Sequence, residues 1–547
     1  MNKVNLRSKA RLRNGWLFFL ISLGVVLRLY KWTSYSFWYD ECQWLSFWKG
    51  NLWLSLINSI YINKPPLFKL LLYGWSYFAK DEFSLRLLPL FFSLASIILT
   101  YQVGKILCDK KTALVCCILM IFSPFHIYYS QELTHYSLTL FFSLCSVYYF
   151  MLVLKQSNKH VWVKLFLFTS LALYTNYVFI FLLITENIYF FAIARKDKNL
   201  VKSWLLCQLL LLAVYLPLIL ATINAYLNFT VNFHNRSWVP QGSLLYILQT
   251  LRVFNVGYNA TATVNVMAAL LSFPLLFIGM FFNLKERKQN TTMLIFWLFI
   301  PMLLSILSSK LYHTFIYRNF IFALPAYYLL IAKGLLNFKR FIYIPVAIFL
   351  ILSGLSLINY YRNIFPYPEK FYRTGVHPKK DNRTAVAYIN KNFHNGDTVV
   401  HLSLCTTTPY FYYSSLKEGT GQREKYFSRD IKYLEPTDGR YFFPDSAEGL
   451  ADSIKNVAQG NFVALAGDSA IYKISELLLI ENDDAEILKL FINPGVKRIW
   501  LVISAWEQQD FSSLLERSNI KRWLEDRFEM LDNKRFNEIE VRLYKIS

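Results

Sequence analysis

The sequence predicts a polytopic α-helical membrane protein whose C-terminal third forms an α/β domain outside the membrane. Three observations support this fold class. Hydrophobic side chains make up 55% of the 547 residues and charged ones only 17%, whereas soluble domains contain about a quarter charged residues. Apolar runs long enough to cross a bilayer recur through residues 1–360 and then stop. Residues 361–547 instead alternate short helix-like and strand-like segments.

The net charge of +23 lies entirely in the hydrophobic part. Of the 58 basic and 35 acidic side chains, 26 of each fall within residues 361–547, which leaves 32 basic and 9 acidic ones in residues 1–360. A nucleic-acid-binding protein carries its basic excess on a soluble face, so the neutral tail argues against that class. Basic side chains between apolar segments instead set the orientation of membrane helices.

Eleven apolar segments are predicted to cross the membrane, because each approaches the roughly 17–25 residues that a bilayer requires. They are residues 15–31, 83–107, 112–129, 136–154, 161–175, 177–194, 203–225, 263–284, 292–308, 316–336 and 341–360. No small-residue cleavage site follows the first segment, so we expect it to be retained as a span.

Basic side chains predict the orientation, since they collect on the cytoplasmic side of membrane proteins. They precede the first segment and occupy every second loop after it, at Lys3, Arg7, Lys9, Arg11, Arg13, Lys110, Lys111, Lys155, Lys159, Arg195, Lys196, Lys198, Lys202, Lys285, Arg287, Lys288, Lys339 and Arg340. An odd number of spans then places residues 361–547 outside. The long outer loops are residues 32–82 and 226–262, and the first contains amphipathic stretches around 42–60 and 65–79 that are predicted to lie along the membrane surface.

The sequence therefore divides into a transmembrane domain, residues 1–360, and an extracytoplasmic α/β domain, residues 361–547. The expected elements of the second domain are helices Arg383–Phe393 and Ser446–Val457, a turn at Asn395-Gly396-Asp397, and strands Thr398–Leu404, Asn461–Leu465, Arg498–Ser504 and Glu538–Lys545. No glycine-rich phosphate loop follows these strands, which indicates an accessory domain without its own catalysis. Cys42 and Cys405 are the two cysteines that lie neither in nor beside a predicted span, and a disulfide between them is left open.

Acidic residues are few enough in residues 1–360 to be considered singly. Glu186 lies inside the sixth predicted span, where an acid is costly and is either functional or held at a structural interface. Five others fall on the predicted outer face, namely Asp40, Glu41, Asp81, Glu82 and Glu132. Asp40 and Glu41 follow the first span, and Glu132 occupies the turn between the third and fourth. Acids at the outer ends of different hairpins can converge on one site, and solvated interface charges are the alternative interpretation.

Seven segments carry recognisable motifs in a fixed order: RLYKWTSYSFWYDE (28–41), NKPPLFKLLLYGW (63–75), DEFSLRLLPLFFSL (81–94), SPFHIYYSQELTHYSL (123–138), LALYTNYVF (171–179), YRNFIFALPAYYLLIAKGL (317–335) and PKKDNRTAVAYINKNFHNGDTVV (378–400). They resemble the C-type membrane glycosyltransferases, in particular the protein-mannosyltransferase-like (glycosyltransferase 39-like) family, which is related to the aminoarabinose transferases of lipid A. The resemblance covers most of residues 25–400. Each motif is weak alone, but their order and the matching topology make the resemblance specific.

The resemblance implies the C-type glycosyltransferase fold and an enzyme that moves a sugar from a polyprenyl-phosphate carrier to an acceptor on the outer side of the membrane. It also implies that Asp40 is the catalytic base. The sequence departs from the family pattern at two places. Many relatives follow the second acid with Ala-Arg-Pro-Tyr, whereas Glu132 is followed here by Leu133-Thr134-His135-Tyr136, and Asn176 stands where relatives often carry His.

Transfer of a sugar from a phosphate requires a base for the acceptor hydroxyl, cations for the departing phosphate and an apolar groove for the polyprenyl chain. Asp40 suits the first role, with Glu41 and Glu132 orienting substrates or tuning its pKa. Cationic candidates for the phosphate lie on the outer face, and they are Lys64, Arg318 and His313. Candidates for contacts to sugar hydroxyls are Tyr128, Tyr129 and His135. For each of these side chains, packing or snorkelling at the membrane interface is the alternative.

No cofactor is required by this chemistry, but clustered acids also suit Mg²⁺ or Mn²⁺, so a divalent metal is left open. The expected partners are a polyprenyl-phosphate sugar donor, membrane lipids and an acceptor that is a glycan, a lipid or a protein. Two other classes stay open, an envelope polysaccharide polymerase or ligase and a non-enzymatic lipid or solute transporter. Transporters usually show repeated halves and mid-membrane polar groups, and no repeat is visible here.

Overall fold

The computed structural model describes residues 19, 21–45, 56, 64–228, 242–281, 284–309, 315–366, 376, 378–414, 441–442, 462–466, 469–474, 477–480, 483, 485–489, 492, 495–504 and 515–546. The chain divides into two compact units. The helical unit comprises Met1–Trp32, Ser59–Asn228 and Val239–Val376, and the sheet unit comprises Thr33–Asn58, Phe229–Trp238 and His377–Ser547.

The helical unit is built from apolar helices joined by short turns. Its α-helices are residues 21–29 and Pro66–Trp75, Glu82–Leu107, Lys110–Phe122, Pro124–Ser130, Tyr136–Lys155, Lys159–Leu173, Phe179–Ala194, Lys198–Asn228, Leu245–Val256, Ala262–Phe281, Leu284–Ser308, Leu324–Leu336 and Tyr343–Tyr361. Two short 3₁₀ helices, Tyr317–Ala323 and Lys339–Phe341, precede the last two. Among the described residues, seven helices are long and apolar enough to span a membrane, or eight if one bent pair is a single span. The protein is therefore an integral membrane protein.

Each of the eleven predicted spans overlaps helical residues where the structure describes it, but the number eleven is not confirmed. The segments predicted at 161–175 and 177–194 form helices of only 15 and 16 residues, Lys159–Leu173 and Phe179–Ala194. Of the segment predicted at 15–31, the structure describes a helix at residues 21–29. The two helices Lys159–Leu173 and Phe179–Ala194 are shorter than the seven helices that are long enough to span a membrane. The amphipathic stretch predicted at 65–79 contains the Pro66–Trp75 helix, whereas most of the stretch at 42–60 lies outside the described residues.

The segment predicted as one straight span at 112–129 is instead bent by 60°. Lys110–Phe122 ends at Ser123, whose ψ of 115° is extended, because a residue that precedes proline is pushed out of the α region. Pro124 then occupies the first turn of Pro124–Ser130, and the Ser123 side chain accepts a hydrogen bond from the backbone N–H of His126 at 3.2 Å. One predicted span therefore becomes two helices with a defined break.

Close helix crossings and buried polar contacts fix the helical unit. A Cβ atom at Gly279 would lie 1.9 Å from the carbonyl oxygen of Leu330, and one at Gly334 would lie 2.1 Å from that of Leu275, so only glycine permits this crossing. The acid of the sixth predicted span, Glu186, is fully buried and accepts a hydrogen bond from Ser146 at 3.2 Å. Ser146 also bonds Thr169 at 2.8 Å, so Glu186 belongs to a polar contact between three helices.

Within the described residues, the sheet unit contains an eight-stranded sheet with the strand order β2-β3-β4-β5-β1-β6-β8-β7. The strands are β1 (Asp397–His401), β2 (Tyr441–Phe442), β3 (Phe462–Ala466), β4 (Ser469–Ile474), β5 (Leu477–Ile480), β6 (Arg498–Ile503), β7 (Glu529–Phe536) and β8 (Ile539–Lys545). β1 runs parallel to both β5 and β6, and β8 pairs antiparallel with β6 and β7. The helices of this unit are Tyr39–Leu45, Asn382–Asn392, Leu404–Ser414, Ala485–Lys489 and Asn519–Glu525.

Strands β1 and β6 carry buried apolar side chains on both faces of the sheet. Val400 and Leu501 belong to the apolar cluster on one face, and Val399 and Trp500 belong to the cluster on the other. Asp397 enters this core as an acid, but it accepts hydrogen bonds from Arg498 at 2.6 Å and from the Trp500 indole at 2.8 Å. The alternating side chains of one strand thus hold two layers together.

The strands predicted at Asn461–Leu465, Arg498–Ser504 and Glu538–Lys545 and the helix at Arg383–Phe393 are confirmed within one or two residues. The strand predicted at Thr398–Leu404 ends earlier, at His401. The reason is that Ser403 starts the next helix, since its side chain accepts from the N–H of Cys405 at 3.1 Å. The helix predicted at Ser446–Val457 lies outside the described residues. Cys42 and Cys405 are both buried, and they are not joined by a disulfide.

Candidate active site

A tight turn in the helical unit carries three of the predicted site residues. Tyr128 and Tyr129 lie on the Pro124–Ser130 helix, and Glu132 follows in the turn that leads to Tyr136–Lys155. Within the turn, the backbone N–H of Thr134 donates to the carbonyl of Glu132 at 2.8 Å. The Glu132 side chain is only 2% exposed, so it is not the solvated interface charge of the alternative interpretation.

Arg28 attaches the first helix to the break that precedes this turn. Its guanidinium is fully buried and donates to the carbonyls of Met120 at 3.2 Å and Ile121 at 3.1 Å and to Nδ1 of His126 at 2.8 Å. The two carbonyls belong to the last turn of Lys110–Phe122, where helix termination leaves acceptors without helical donors. Arg28 supplies those donors and thereby stabilises the break.

Gln131 fixes the turn from the opposite side. Its amide nitrogen donates to the carbonyls of Arg28 at 2.7 Å and Tyr30 at 3.1 Å. Its amide oxygen accepts from the hydroxyl of Tyr360 at 2.6 Å. The residue directly before Glu132 is therefore bound to both the first helix and the last helix of the unit.

Aromatic side chains surround Glu132. The Tyr128 hydroxyl is hydrogen bonded to Glu132, and the Tyr129 and Tyr258 hydroxyls lie 2.8 Å apart. The rings of Tyr128 and Tyr258 meet edge to face at 5.5 Å. Each of these tyrosines is at most 3% exposed. Their rings form a buried aromatic cluster, and their hydroxyl groups are held by hydrogen bonds.

Cations from two distant parts of the chain act on this turn. Arg318, from the Tyr317–Ala323 helix, lies 5.6 Å over the ring of Tyr136 and is 7% exposed. Burial, together with the charges of Lys64 and Arg318, lowers the pKa of His135 to about 3. His135 is therefore neutral at physiological pH. The charges of Lys64 and Arg318, which are far apart in sequence, therefore both act on the same imidazole.

Lys69 is a cation of this region that the sequence analysis missed. It lies on Pro66–Trp75 and is 3% exposed. The pKa of Lys69 lies well below its ordinary value. Burial is the larger cause, and the charge of Lys64 is the smaller one. A signal was present, because Lys69 is the one charged side chain in an otherwise apolar helix. Tyr258, Gln131 and Arg28 were also missed as site residues, and no local pattern distinguishes them from other polar residues of apolar segments.

Asp40 and Glu41 belong to the sheet unit, in the first turn of the short helix Tyr39–Leu45. Glu41 is fully buried, and its Oε2 accepts a hydrogen bond from the backbone N–H of Trp38 at 3.3 Å. Asp40 is partly exposed. The buried carboxylate of Glu41 is thus hydrogen bonded to the backbone, whereas Asp40 is partly exposed.

The structure brings together six predicted site residues in the helical unit, namely Tyr128, Tyr129, Glu132, His135, Lys64 and Arg318. It places Asp40 and Glu41 in the sheet unit, and their convergence with Glu132 stays a prediction. His313 lies outside the described residues. Within the part of the chain that the structure describes, no three His, Cys, Asp or Glu side chains are grouped so that they could hold a metal ion.

Comparisons with known proteins agree with this architecture. Residues 63–221 match the family model described as dolichyl-phosphate-mannose-protein mannosyltransferase. The structure resembles crystal structures of ArnT from Cupriavidus metallidurans, in the apo state with 10% identity and bound to undecaprenyl phosphate with 11% identity. Both alignments have a TM-score of 0.56 and cover 97% of this chain and 98% of ArnT. Among curated protein sequences, none matches this chain.

The resemblance to the protein-mannosyltransferase-like family is thereby confirmed for residues 63–221, the part that contains Lys64, Lys69 and the turn with Glu132. At about a tenth of residues identical, the likeness to ArnT shows the fold. The chain therefore has the fold of the C-type membrane glycosyltransferases.

Proposed function

We propose that this chain is a membrane glycosyltransferase that moves a sugar from a polyprenyl-phosphate carrier to an acceptor on the outer face of the membrane. The observation that carries the proposal is the polar turn itself, in which Glu132 is buried, Arg318 lies 5.6 Å over the ring of Tyr136 and the charges of Lys64 and Arg318 act on His135. The family match over residues 63–221 and the shared fold with ArnT, one of whose structures contains undecaprenyl phosphate, support the same reaction class.

The donor phosphate binds between Lys64 and Arg318 in this proposal. Lys64 and Arg318 are cationic side chains whose charges act on one imidazole, and cationic side chains form strong charge-assisted hydrogen bonds with phosphate. Lys69 can join them once a phosphate is near, because an adjacent anion favours the charged ammonium and opposes the effect of burial. Such charges stabilise a departing phosphate because they are in place before the bond breaks. His313 is a further proposed ligand of the donor.

The sugar is held by the polar groups of the turn. Glu132 accepts hydrogen bonds from hydroxyl groups, as it does from Tyr128. Neutral His135 can both donate and accept one. Tyr129 offers a hydroxyl whose position is fixed by Tyr258. A carboxylate beside tyrosine rings suits a pyranose, which presents hydroxyl edges and apolar faces.

Asp40 is the proposed base, because it is the accessible member of the acid pair. Glu41, whose carboxylate is bonded to the backbone of Trp38, orients the segment. The acceptor is a glycan, a lipid or a protein, and residues 361–547 lie on the same outer face. No cofactor is required, since a carboxylate base and cationic phosphate ligands are sufficient for the transfer.

The decisive experiment measures sugar transfer from polyprenyl-phosphate donors by the purified protein in detergent or liposomes. Mass spectrometry of envelope lipids, glycans and proteins from a deletion strain would first identify the sugar and the acceptor. Asp40→Asn should fold normally and transfer the sugar at least about a hundredfold more slowly, since general-base assistance contributes about 10²–10⁴ in rate.

Glu41→Gln is the matched control, because glutamine keeps an oxygen for the Trp38 N–H. It should have the milder effect. Near-normal turnover by Asp40→Asn would remove Asp40 from the mechanism, and a large loss in Glu41→Gln alone would reverse the assignment within the pair. Absence of any transfer product in the wild-type strain and protein, with lipid movement retained, would favour a transporter instead.

A further inference from the structure

The segment that carries Asp40 is integrated into the fold of the C-terminal residues. Residues 33–58 belong to the same compact unit as residues 377–547. Ser36 donates its hydroxyl to the carbonyl of Lys380 at 2.7 Å and accepts from the backbone N–H of Asn382 at 3.0 Å. Both partners lie at the start of the Asn382–Asn392 helix, more than 340 residues further along the chain. The attachment is therefore tertiary and is not a property of the local sequence.

Phe37, three residues before Asp40, has both backbone polar groups bound by side chains of the C-terminal residues. Its N–H donates to the hydroxyl of Tyr413 at 2.6 Å, and its carbonyl accepts from the Asn382 amide at 3.2 Å. Its ring is fully buried and meets the ring of Tyr412 edge to face at 5.4 Å. These contacts fix the position and the direction of the backbone just before the acid pair.

Two further contacts extend this attachment. The ammonium of Lys379 lies 5.3 Å over the ring of Trp38, which is 3% exposed. The guanidinium of Arg383 donates to the carbonyl of Thr33 at 3.2 Å. Residues 33–38 are thus held at four points, and the chain enters the helix of Asp40 from a fixed origin.

We propose that Tyr413 and Asn382 are positioning residues that hold the carboxylate of Asp40 in its reactive place. The inference rests on the proposed function, in which Asp40 is the base. The Tyr39–Leu45 helix has only seven residues, and helices of this length are not stable in isolation. The two hydrogen bonds at the backbone of Phe37 fix the chain from which this helix starts. A displacement of about 1 Å in a reacting group can cost about a hundredfold in rate. The loss of one of these hydrogen bonds can therefore slow the reaction strongly even though each bond is weak.

The test is Tyr413→Phe, which removes the one hydroxyl that accepts from Phe37 and keeps the ring. We expect kcat to fall by about 10- to 100-fold with little change in KM for the polyprenyl-phosphate sugar, because Tyr413 is not among the proposed ligands of the donor. Asn382→Ala should act in the same direction. The matched control is Tyr388→Phe, whose hydroxyl bonds Asp532 elsewhere in the same unit and whose loss should leave kcat unchanged.

A double-mutant cycle separates positioning from general destabilisation. If Tyr413 acts through Asp40, Tyr413→Phe should slow the wild-type protein but cause no further loss in Asp40→Asn. An equal loss in both backgrounds, or a kcat loss as large in Tyr388→Phe, would overturn the inference. Wild-type kcat in both Tyr413→Phe and Asn382→Ala, with Asp40→Asn slow, would overturn it and leave the proposed function intact. Full activity of Asp40→Asn would overturn the proposed base instead.

Discussion

His401 should make the sheet unit sensitive to mild acid. It is the last residue of β1 and is 1% exposed. Its Nδ1 lies 2.9 Å from the Thr406 hydroxyl, and its ring meets Tyr410 edge to face at 5.1 Å. Burial lowers the pKa of His401 to about 3. The imidazole is therefore neutral in the folded protein wherever the fold is stable.

The sign and size of the effect follow from linkage. A histidine in the unfolded chain has a pKa of about 6.5, so between pH 6.5 and 3 the unfolded state binds more protons than the folded state. Above pH 6.5 the imidazole is neutral in both states and does not lower the free energy of unfolding. As the pH falls through this window, the free energy of unfolding decreases. Between pH 7.5 and pH 5, a shift from about 6.5 to about 3 costs about 2 kcal/mol in the free energy of unfolding.

Amide hydrogen exchange on the full-length protein measures this change without requiring reversible unfolding of the membrane helices. After correction for intrinsic exchange rates, protection of peptides from β1 and β6 should fall about thirtyfold between pH 7.5 and pH 5. In His401→Gln this loss should largely disappear. His160 is exposed, so His160→Gln is the matched control and should keep the wild-type acid response.

His401→Gln removes the imidazole whose protonation is held responsible for the acid response. An unchanged acid response in this variant would therefore refute the reasoning. Asp397 does not replace it. Burial raises the pKa of Asp397, but hydrogen bonds from Arg498, the His394 N–H and Trp500 outweigh burial and bring it below its ordinary value. Asp397 therefore titrates at lower pH than the tested interval.

Three further predictions address the proposed mechanism and topology. Lys64→Gln and Arg318→Gln should each weaken donor binding and slow transfer by about 10- to 100-fold, while acceptor KM changes little, and unaltered donor kinetics in both would contradict the phosphate site. Transfer should persist after exhaustive treatment with EDTA, and loss of activity that Mg²⁺ or Mn²⁺ restores would show a metal requirement. Reporter fusions after Arg340 and after Tyr372 should report opposite sides of the membrane, and a shared side would overturn the orientation.

Hydropathy predicted most of the helical unit because lipid imposes a strong local constraint. The predicted spans overlap helices wherever the structure describes them, since backbone groups in a bilayer must bond within their own segment. The break at Pro124 could have been read from Ser123-Pro124 alone, because proline restricts the residue before it. The strand at Arg498–Ile503 was also predictable, since a short apolar run without charge is typical of a buried strand.

The candidate site was only partly predictable, because its polar contacts join residues far apart in sequence. Lys64 and Arg318 could be proposed individually from their places at helix ends. Their common action on His135 depends on how distant helices pack. Likewise, Gln131 gains its role only when Tyr360 reaches its amide. No spacing rule in a single sequence connects positions more than two hundred residues apart.

The boundary between the two units also depends on contacts between residues far apart in sequence. Hydropathy divides the chain at residue 360, and this division assigns the loop of Asp40 to the membrane half. Packing instead groups residues 33–58 with residues 377–547, because Phe37 is buried among C-terminal side chains that bind its backbone. An acid at the end of a span thus has its backbone fixed by a domain that begins more than 300 residues later. In the proposed mechanism, the base therefore takes its position from contacts with the C-terminal residues.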